Sequence, residues 1–311
     1  MIGTVTLNPS IDQYVIVDKV IRGDTVRAKK VRKDPGGKGI NVSRVIVRLG
    51  GETKAFGFSG GNTGRMLKDF LDKEKVPHDF VNIREDTRIN IFVREKEIDH
   101  LSRISVPGPE VSKKELESFL DKFSTVSPFP EIWVMGGSLP KGVLPTIYRK
   151  LIHIAERRGS KCILDTDGEA LKLGIEASPY MIKPNQFELQ RLLKREIKNE
   201  SQLIASAQEL IQRGVEVVVI SRGEHGVLVM TKDQVFKAMH PKVKVRSIVG
   251  AGDSMLGAIA WSLAQGNSLE EAVCWGVAAG TASVLTPGTE LALKKDVERI
   301  RKRVRCHSLS G

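Results

Sequence analysis

The chain has 311 residues, 41% of them hydrophobic and 28% charged, with a formal net charge of +12. That length suits one large α/β domain, or a large domain with a small attachment, and no apolar run approaches the roughly 20 residues of a membrane-spanning helix. The basic runs at 27–33 and 299–305 carry no interleaved aromatics, and only 5% of residues are aromatic, which disfavours a nucleic-acid interface and favours a field for polyanionic metabolites.

Residues 3–7 open the chain as a strand, without the basic start, long apolar segment and cleavage site of a signal peptide. A cytoplasmic location is therefore expected. Residues 10–34 hold strand-like segments at 14–17 and 26–31 with no helix between them. The glycine cluster Asp34-Pro35-Gly36-Gly37-Lys38-Gly39-Ile40-Asn41 then enters a helix over 39–49, with Val42, Val45, Ile46 and Leu49 on its buried face. A strand at 53–58 and a helix at 63–74 follow. Residues 87–106 again lack a helix, with strand-like segments at 89–94 and 101–106.

From there helices at 113–123, 144–158, 186–194 and 202–213 alternate with strands at 131–135, 161–165, 180–183 and 215–221. Val243-Lys244-Val245-Arg246 alternates like a strand edge, two helices follow Asp253, and Val297, Ile300 and Val304 share one face of a last solvated helix. This alternation predicts an α/β fold with a mostly parallel sheet covered on both faces. The two helix-free stretches, about 11–34 and 87–106, are expected to pair as a small antiparallel lid within a single domain spanning 1–311. Decorating hairpins without function are the other reading. Cys162, Cys274 and Cys306 are odd in number and fit no metal or redox spacing; Cys162 reads as core, and no structural disulfide is expected.

The most informative junction is Ser247-Ile248-Val249-Gly250-Ala251-Gly252-Asp253-Ser254, before Met255, Leu256, Ile259, Ala260 and Leu263 at helical spacing. A helix starting near Gly252 offers unpaired N–H groups and a positive dipole end to a phosphate. Small residues let the ligand approach closely. Asp253 is then either a helix cap or a carboxylate placed to take a proton. The earlier glycine cluster is not a P-loop, because Lys38 lies between glycines with no Ser or Thr after it.

Taken together, Gly36-Gly37-Lys38-Gly39-Ile40-Asn41 and Val249-Gly250-Ala251-Gly252-Asp253-Ser254 resemble the two signatures of the ribokinase-like (PfkB) carbohydrate kinases. The landmarks Asn8-Pro9-Ser10-Ile11-Asp12, Gly137-Ser138-Leu139-Pro140, Lys183-Pro184-Asn185-Gln186-Phe187-Glu188, Ser221-Arg222-Gly223-Glu224-His225-Gly226 and Gly276-Val277-Ala278-Ala279-Gly280 fall in the family's order. The resemblance spans residues 4 to about 304 and is greatest to the ketohexose-phosphate branch, which phosphorylates fructose and tagatose phosphates. It implies a three-layer αβα sandwich with a small β-sheet lid, acting with ATP and Mg2+ on a sugar phosphate.

The resemblance also implies roles. Asp253 would be the base, and Gly250, Ala251 and Gly252 the anion hole. Glu188 would help hold magnesium through water, or be only a first-turn charge. Lys183, Asn185, Ser221, Gly223, Gly226 and Gly280 would face the nucleotide. Asp12, Gly37, Asn41, Asn90 and Ser138 would hold the sugar. Arg88, Lys38 and Arg103 would meet the phosphate already on it, since a guanidinium fork pairs two phosphate oxygens. Arg103 is equally readable as a solvated hairpin residue, and Arg27 is a weaker candidate.

Thr25, where the 6-phosphofructokinase branch tends to carry Lys, and the Lys38 form of the glycine motif tilt the reading toward fructose 1-phosphate. Residues 276–289 fit both branches. A kinase of an unphosphorylated sugar would leave Arg88, Lys38 and Arg103 without a phosphate partner. A non-catalytic regulator would have no use for Asp253. Lid strands with exposed edges are one route to a homodimer.

Overall fold

Short aliphatic and β-branched runs form the strands, and amphipathic stretches form the helices between them. The computed structural model describes residues 1–309. In chain order it forms β1 (Ile2–Thr6), β2 (Ser10–Val17), β3 (Lys30–Gly36), α1 (Lys38–Leu49), β4 (Thr53–Gly60), α2 (Gly61–Lys73), β5 (His78–Ile83), β6 (Arg88–Glu95) and β7 (His100–Ile104). Next come α3 (Lys113–Thr125), β8 (Ile132–Gly136), α4 (Ile147–Glu156), β9 (Lys161–Asp165), α5 (Gly168–Ile175), β10 (Met181–Ile182), α6 (Gln186–Leu193), α7 (Glu200–Gln212) and β11 (Val217–Ser221). The chain ends with β12 (Val227–Met230), β13 (Val235–Met239), α8 (Ala251–Ala264), α9 (Leu269–Ser283), α10 (Lys294–Arg301) and β14 (Arg305–Ser308).

The large sheet runs β14-β13-β12-β11-β10-β9-β8-β1-β4-β5. From β11 to β5 every neighbouring pair is parallel, whereas β12, β13 and β14 join antiparallel. Strand β8 shows how both faces are buried: Trp133 and Met135 enter one core and Ile132 and Val134 the other. The first core holds Phe119, Tyr148 and Leu210 from α3, α4 and α7. The second holds Val45, Ile259 and Val277 from α1, α8 and α9. The result is the expected three-layer α/β sandwich. Beyond β1 the chain first builds outward through β4 and β5, then returns to β8 on the other side. Ligands bind at such a reversal, beyond the carboxyl ends of the strands.

A separate four-stranded sheet, ordered β3-β2-β6-β7, is built from the two helix-free stretches. Its outer pairs are antiparallel, but the central pair, β2 with β6, is parallel. The expectation of a wholly antiparallel sheet is corrected here. Strands β2 and β6 leave the same end of the large sheet, after β1 and β5, and so run in the same direction.

Further differences have local causes. The strand expected at 26–31 starts only at Lys30, because Gly23 (φ 80°) and an Asp24 carboxylate accepting from the Thr25 N–H at 2.6 Å make a turn first. The strand edge expected at 243–246 is irregular and walls a cleft instead. Helix α10 stops before Val304, and β14 then pairs with β13. That pairing brings Cys306 to Cys274 of α9, and the two form a disulfide the scattered cysteines did not lead us to expect. Cys162 is buried and free, as expected. Among the described residues no helix is long and apolar enough to cross a membrane.

Close pairing of β1 and β4 positions the first glycine turn. Gly57 (φ 155°) faces Thr6, whose carbonyl oxygen would lie 1.9 Å from an added Cβ. The Thr6 hydroxyl in turn accepts the Ile40 N–H at 3.0 Å. Gly57→Ala is expected to destabilise the fold by about 1–3 kcal/mol, the usual cost of overpacking, read as a lower midpoint in urea. An unchanged midpoint would mean that β1 and β4 can separate freely there.

Candidate active site

The site begins with a helix that has no side-chain cap. Gly250 adopts a left-handed conformation (φ 76°) as N-cap of α8, and no side chain bonds the first-turn N–H groups. Asp253, in that first turn, instead accepts a hydrogen bond on Oδ2 from Asn41 Nδ2 of α1 at 2.7 Å. Of its two sequence readings, the capping one is therefore not what the side chain does. Its neighbours are Lys38, Asp165 and Lys183. Burial, reinforced by Asp165, pushes its carboxyl above the usual aspartate range against the opposing pull of Lys38, Asn41 and Lys183.

Asp165, at the carboxyl end of β9, is 2% exposed and ties two lysines together. Its Oδ1 accepts from Lys38 Nζ at 2.8 Å and its Oδ2 lies 3.4 Å from Lys183 Nζ. Burial works against its charge, but Lys183 and Lys38 hold its carboxyl below the usual range. For Lys38 burial likewise opposes the charge, yet Asp165 and Asp253 hold the ammonium above the normal lysine range. Lys38, expected on the sugar phosphate, is thus engaged by Asp165. A Cβ on Gly252 would sit 3.3 Å from Lys183 Nζ, so that lysine reaches the start of α8.

Asn185 and Glu188 form a reciprocal capping box on α6, with Asn185 N–H to Glu188 Oε2 at 2.8 Å and Glu188 N–H to Asn185 Oδ1 at 2.9 Å. The capping use of Glu188 is therefore present, and its charge also reaches Lys38. Among the described residues no group of three or more His, Cys, Asp or Glu side chains gathers as a metal cage. The carboxylates of Asp165 and Glu188 both act on Lys38, and such oxygen donors fit a hard cation held through its own water rather than in a closed cage.

Beside α8 lies a cleft of about 990 Å³, lined among others by Ser221, Gly223, Gly226, Ala251, Gly252 and Gly280. It gathers the expected nucleotide-side residues of two distant segments against the helix start. Gly280 belongs to α9, where an added Cβ would lie 3.2 Å from the Ala251 carbonyl oxygen.

A second polar cluster joins β2 and β6. Asn90 Nδ2 donates to Asp12 Oδ1 at 2.9 Å and to Ser10 Oγ at 3.0 Å, while Ser10 Oγ donates to Asp12 Oδ1 at 2.7 Å. An added Cβ on Gly36 would lie 2.5 Å from the Asp12 carboxyl carbon, and one on Gly37 2.6 Å from the Thr6 side chain. Arg88 donates to the carbonyls of Val106 and Asn8 and to Ser138 Oγ, at 2.6, 3.0 and 3.2 Å. Its Nε is buried without a partner. Burial disfavours the Arg88 charge, Asp12 supports it and Arg103 opposes it. Arg103 itself is exposed on β7, over the Phe92 ring at 5.4 Å. Arg27 is exposed in the irregular segment before β3.

Sequence reasoning missed Asp165, Asn8 and Ser10 as parts of the site, and the buried Arg44 beside Asn41. The available signal for Asp165 was a charged residue ending the apolar run Cys162-Ile163-Leu164, two positions before Asp167 opens α5.

Residues 2–296 match the model of the pfkB family carbohydrate kinases. The chain is 34% identical over 305 residues to a 1-phosphofructokinase of Bacillus subtilis, covering 98% of this chain and 99% of that protein. It is 36% identical over 301 residues to the ATP-dependent 6-phosphofructokinase isozyme 2 of Escherichia coli, covering 96% and 97%. The crystal structure of Escherichia coli phosphofructokinase-2 in complex with potassium superposes with a TM-score of 0.92 at 36% identity, over 97% of this chain and 98% of that one. The chain belongs to the pfkB family of carbohydrate kinases.

Proposed function

We propose that this kinase transfers the terminal phosphoryl group of ATP to a ketohexose monophosphate, with fructose 1-phosphate going to fructose 1,6-bisphosphate as the favoured reaction. The observation that carries the reading is Asp253 itself. It sits in the first turn of a helix with no side-chain cap, with one oxygen held by Asn41, directly after Ala251 and Gly252, which line the cleft of about 990 Å³. Fructose 6-phosphate and tagatose 6-phosphate are the alternatives, and relatives named for both fructose phosphates stand at similar identity.

In this reading the acceptor sugar lies on Asp12, Asn90, Asn41 and the Gly37 backbone, and its phosphate meets Arg88 near Ser138. The unpaired Nε and the unfavourable burial of the Arg88 charge both favour an anion there. Asp253 takes the proton of the attacking hydroxyl, for which a raised carboxyl pKa is an advantage at neutral pH. The N–H groups at Gly250, Ala251 and Gly252, with Lys183, face the charge on the transferred group. Asp165 and Glu188 would hold Mg2+ through water, and the ion would supply charge neutralisation on the phosphates. The chain's own share is alignment, fixed dipoles and exclusion of water by the β3-β2-β6-β7 sheet acting as a lid.

Four measurements test this. Asp253→Asn should lower kcat roughly 10²–10⁴-fold with little change in either KM, and near-normal turnover in the folded variant would end the base assignment. In the native protein kcat should fall as pH drops through the raised Asp253 carboxyl, so its acid limb lies above that of an ordinary aspartate. Arg88→Ala should mainly raise KM for the sugar phosphate; a rise confined to KM for ATP would put Arg88 on the wrong side of the site. A panel of fructose 1-phosphate, fructose 6-phosphate, tagatose 6-phosphate and free fructose, ranked by kcat/KM, identifies the acceptor.

The reading includes a homodimer through the lid, because Val31 on edge strand β3 and Ile104 on edge strand β7 are 51% and 54% exposed. Light scattering should give twice the chain mass for the native protein and a lower mass for Val31→Lys combined with Ile104→Lys. A native protein that scatters as a monomer removes the dimer from the reading.

A further inference from the structure

Arg44 lies one helical turn after Asn41 on α1 and is only 2% exposed. It is not among the residues read as binding sugar, nucleotide or metal, yet its guanidinium makes four hydrogen bonds. Nε donates to Glu74 Oε2 at 2.8 Å and Nη2 to Glu74 Oε1 at 2.7 Å, a two-pronged ion pair with the residue that ends α2. Nη1 donates to the carbonyl of Pro35, at the end of β3, at 3.0 Å and to Asn41 Oδ1 at 3.3 Å.

The asymmetry of the Asn41 amide makes that last contact informative. A guanidinium only donates and an ionised carboxylate only accepts. With Arg44 on one side and Asp253 on the other, the amide has a single orientation that satisfies both: Oδ1 toward Arg44 and Nδ2 toward Asp253. Turned over, it would set its NH2 against a guanidinium N–H and its oxygen against a carboxylate oxygen. The hydrogen bond from Asn41 engages Oδ2 of Asp253, leaving Oδ1 for the sugar hydroxyl.

We propose that Arg44, locked by Glu74, is a positioning residue for phosphoryl transfer. It sets the orientation of the Asn41 amide and through it the orientation of Asp253. The Arg44 bond to the Pro35 carbonyl joins this line to the end of lid strand β3, next to Gly36 and Asp12. The inference rests on the reading of Asp253 as the base.

The groups facing Asp253 are Lys38 and Asn41 from α1, Asp165 from β9 and Lys183 from the turn after β10. Loosening Asn41 removes one influence that favours the carboxylate and leaves burial and Asp165 favouring the protonated form. The acid limb of kcat must then move to higher pH.

The test is the pH profile of kcat with ATP and fructose 1-phosphate, or whichever sugar phosphate of the panel is turned over, for native protein, Arg44→Met, Arg44→Lys, Glu74→Gln and Asp253→Asn. Expected for Arg44→Met is a kcat lowered by about 10–100-fold, as for a small misplacement of a reacting group, with little change in either KM and an acid limb moved to higher pH. Glu74→Gln should shift both quantities the same way by less. Arg44→Lys should recover only part of the loss, because an ammonium lacks the planar fork.

A fall in kcat without movement of the limb overturns the proposal, since a merely structural role predicts that. Native kcat and limb in folded Arg44→Met overturn it too. If thermal melting shows Arg44→Met unfolded, Glu74→Gln decides by the same criteria, because Glu74 is 29% exposed and its amide can be solvated. Asp253→Asn separates the two failures. An acid limb that survives in Asp253→Asn sinks the base reading and this inference with it. A limb lost in Asp253→Asn but unmoved in the Arg44 and Glu74 variants sinks the positioning role alone.

Discussion

The site depends on one buried carboxylate shared by two lysines. Asp165 ends β9 where parallel strands release their chains. It receives Lys38 from the first turn of α1 and Lys183 from just beyond β10. Lys183, only 5% exposed, has Asp165 as its counter-charge, and a buried charge left unpaired costs several kcal/mol. With Asp253 beside them the four groups sum to no net charge. This cluster therefore carries no net charge before substrate arrives. In the proposed reaction, phosphates and a divalent cation would enter as charges of both signs, which can exchange partners with groups already ionised rather than ionise new ones.

That arrangement also explains why α8 needs no capping side chain. A side-chain cap on the Gly250 turn would satisfy the first-turn N–H groups at the cost of the proposed anion site. Glycine in the left-handed conformation starts the helix without one, and the Asp253 carboxylate is drawn sideways to Asn41. The helix gives up about 1 kcal/mol of capping stability and recovers it in packing, because α8 is buried between α1 and α9, with Leu256, Ile259 and Val277 in the second core.

What could be read in the sequence was whatever lies close along the chain. Both glycine turns, the α1 stripe of Val42, Val45, Ile46 and Leu49, and the Asn185 and Glu188 pair needed only local spacing, and each element formed within a few residues of its expected bounds. The order of those landmarks carried the family. Contacts between distant residues were not legible: Asn41 and Asp253 are 212 positions apart, and Lys38 and Asp165 are 127. Hence the expected contact of Lys38 with the sugar phosphate gave no sign of its partner Asp165, and nothing in the local spacing singled out Arg44. The parallel β2 and β6 pairing was hidden for the same reason. Strand direction in a small sheet is set by where its strands leave the large one, not by their own residues.

The parallel pairing has a functional consequence. It aligns Asp12 with Asn90 and Ser10 with Arg88 in register, so the groups read as holding the sugar and those read as holding its phosphate repeat along one two-strand ladder. A shift of one residue would turn every one of these side chains to the opposite face. In the proposed reading, sugar and phosphate recognition are thus fixed relative to each other by backbone hydrogen bonds, while Asp253 and the lysines belong to the large sheet and its helices. Arg44 joins the two sheets' elements by holding Pro35 at the end of β3 and Asn41 beside Asp253. Motion of the small sheet against the large one would move the proposed acceptor as a unit and would strain that joint first. The distance between the sugar hydroxyl and Asp253 would then be set at this joint rather than by either sheet alone.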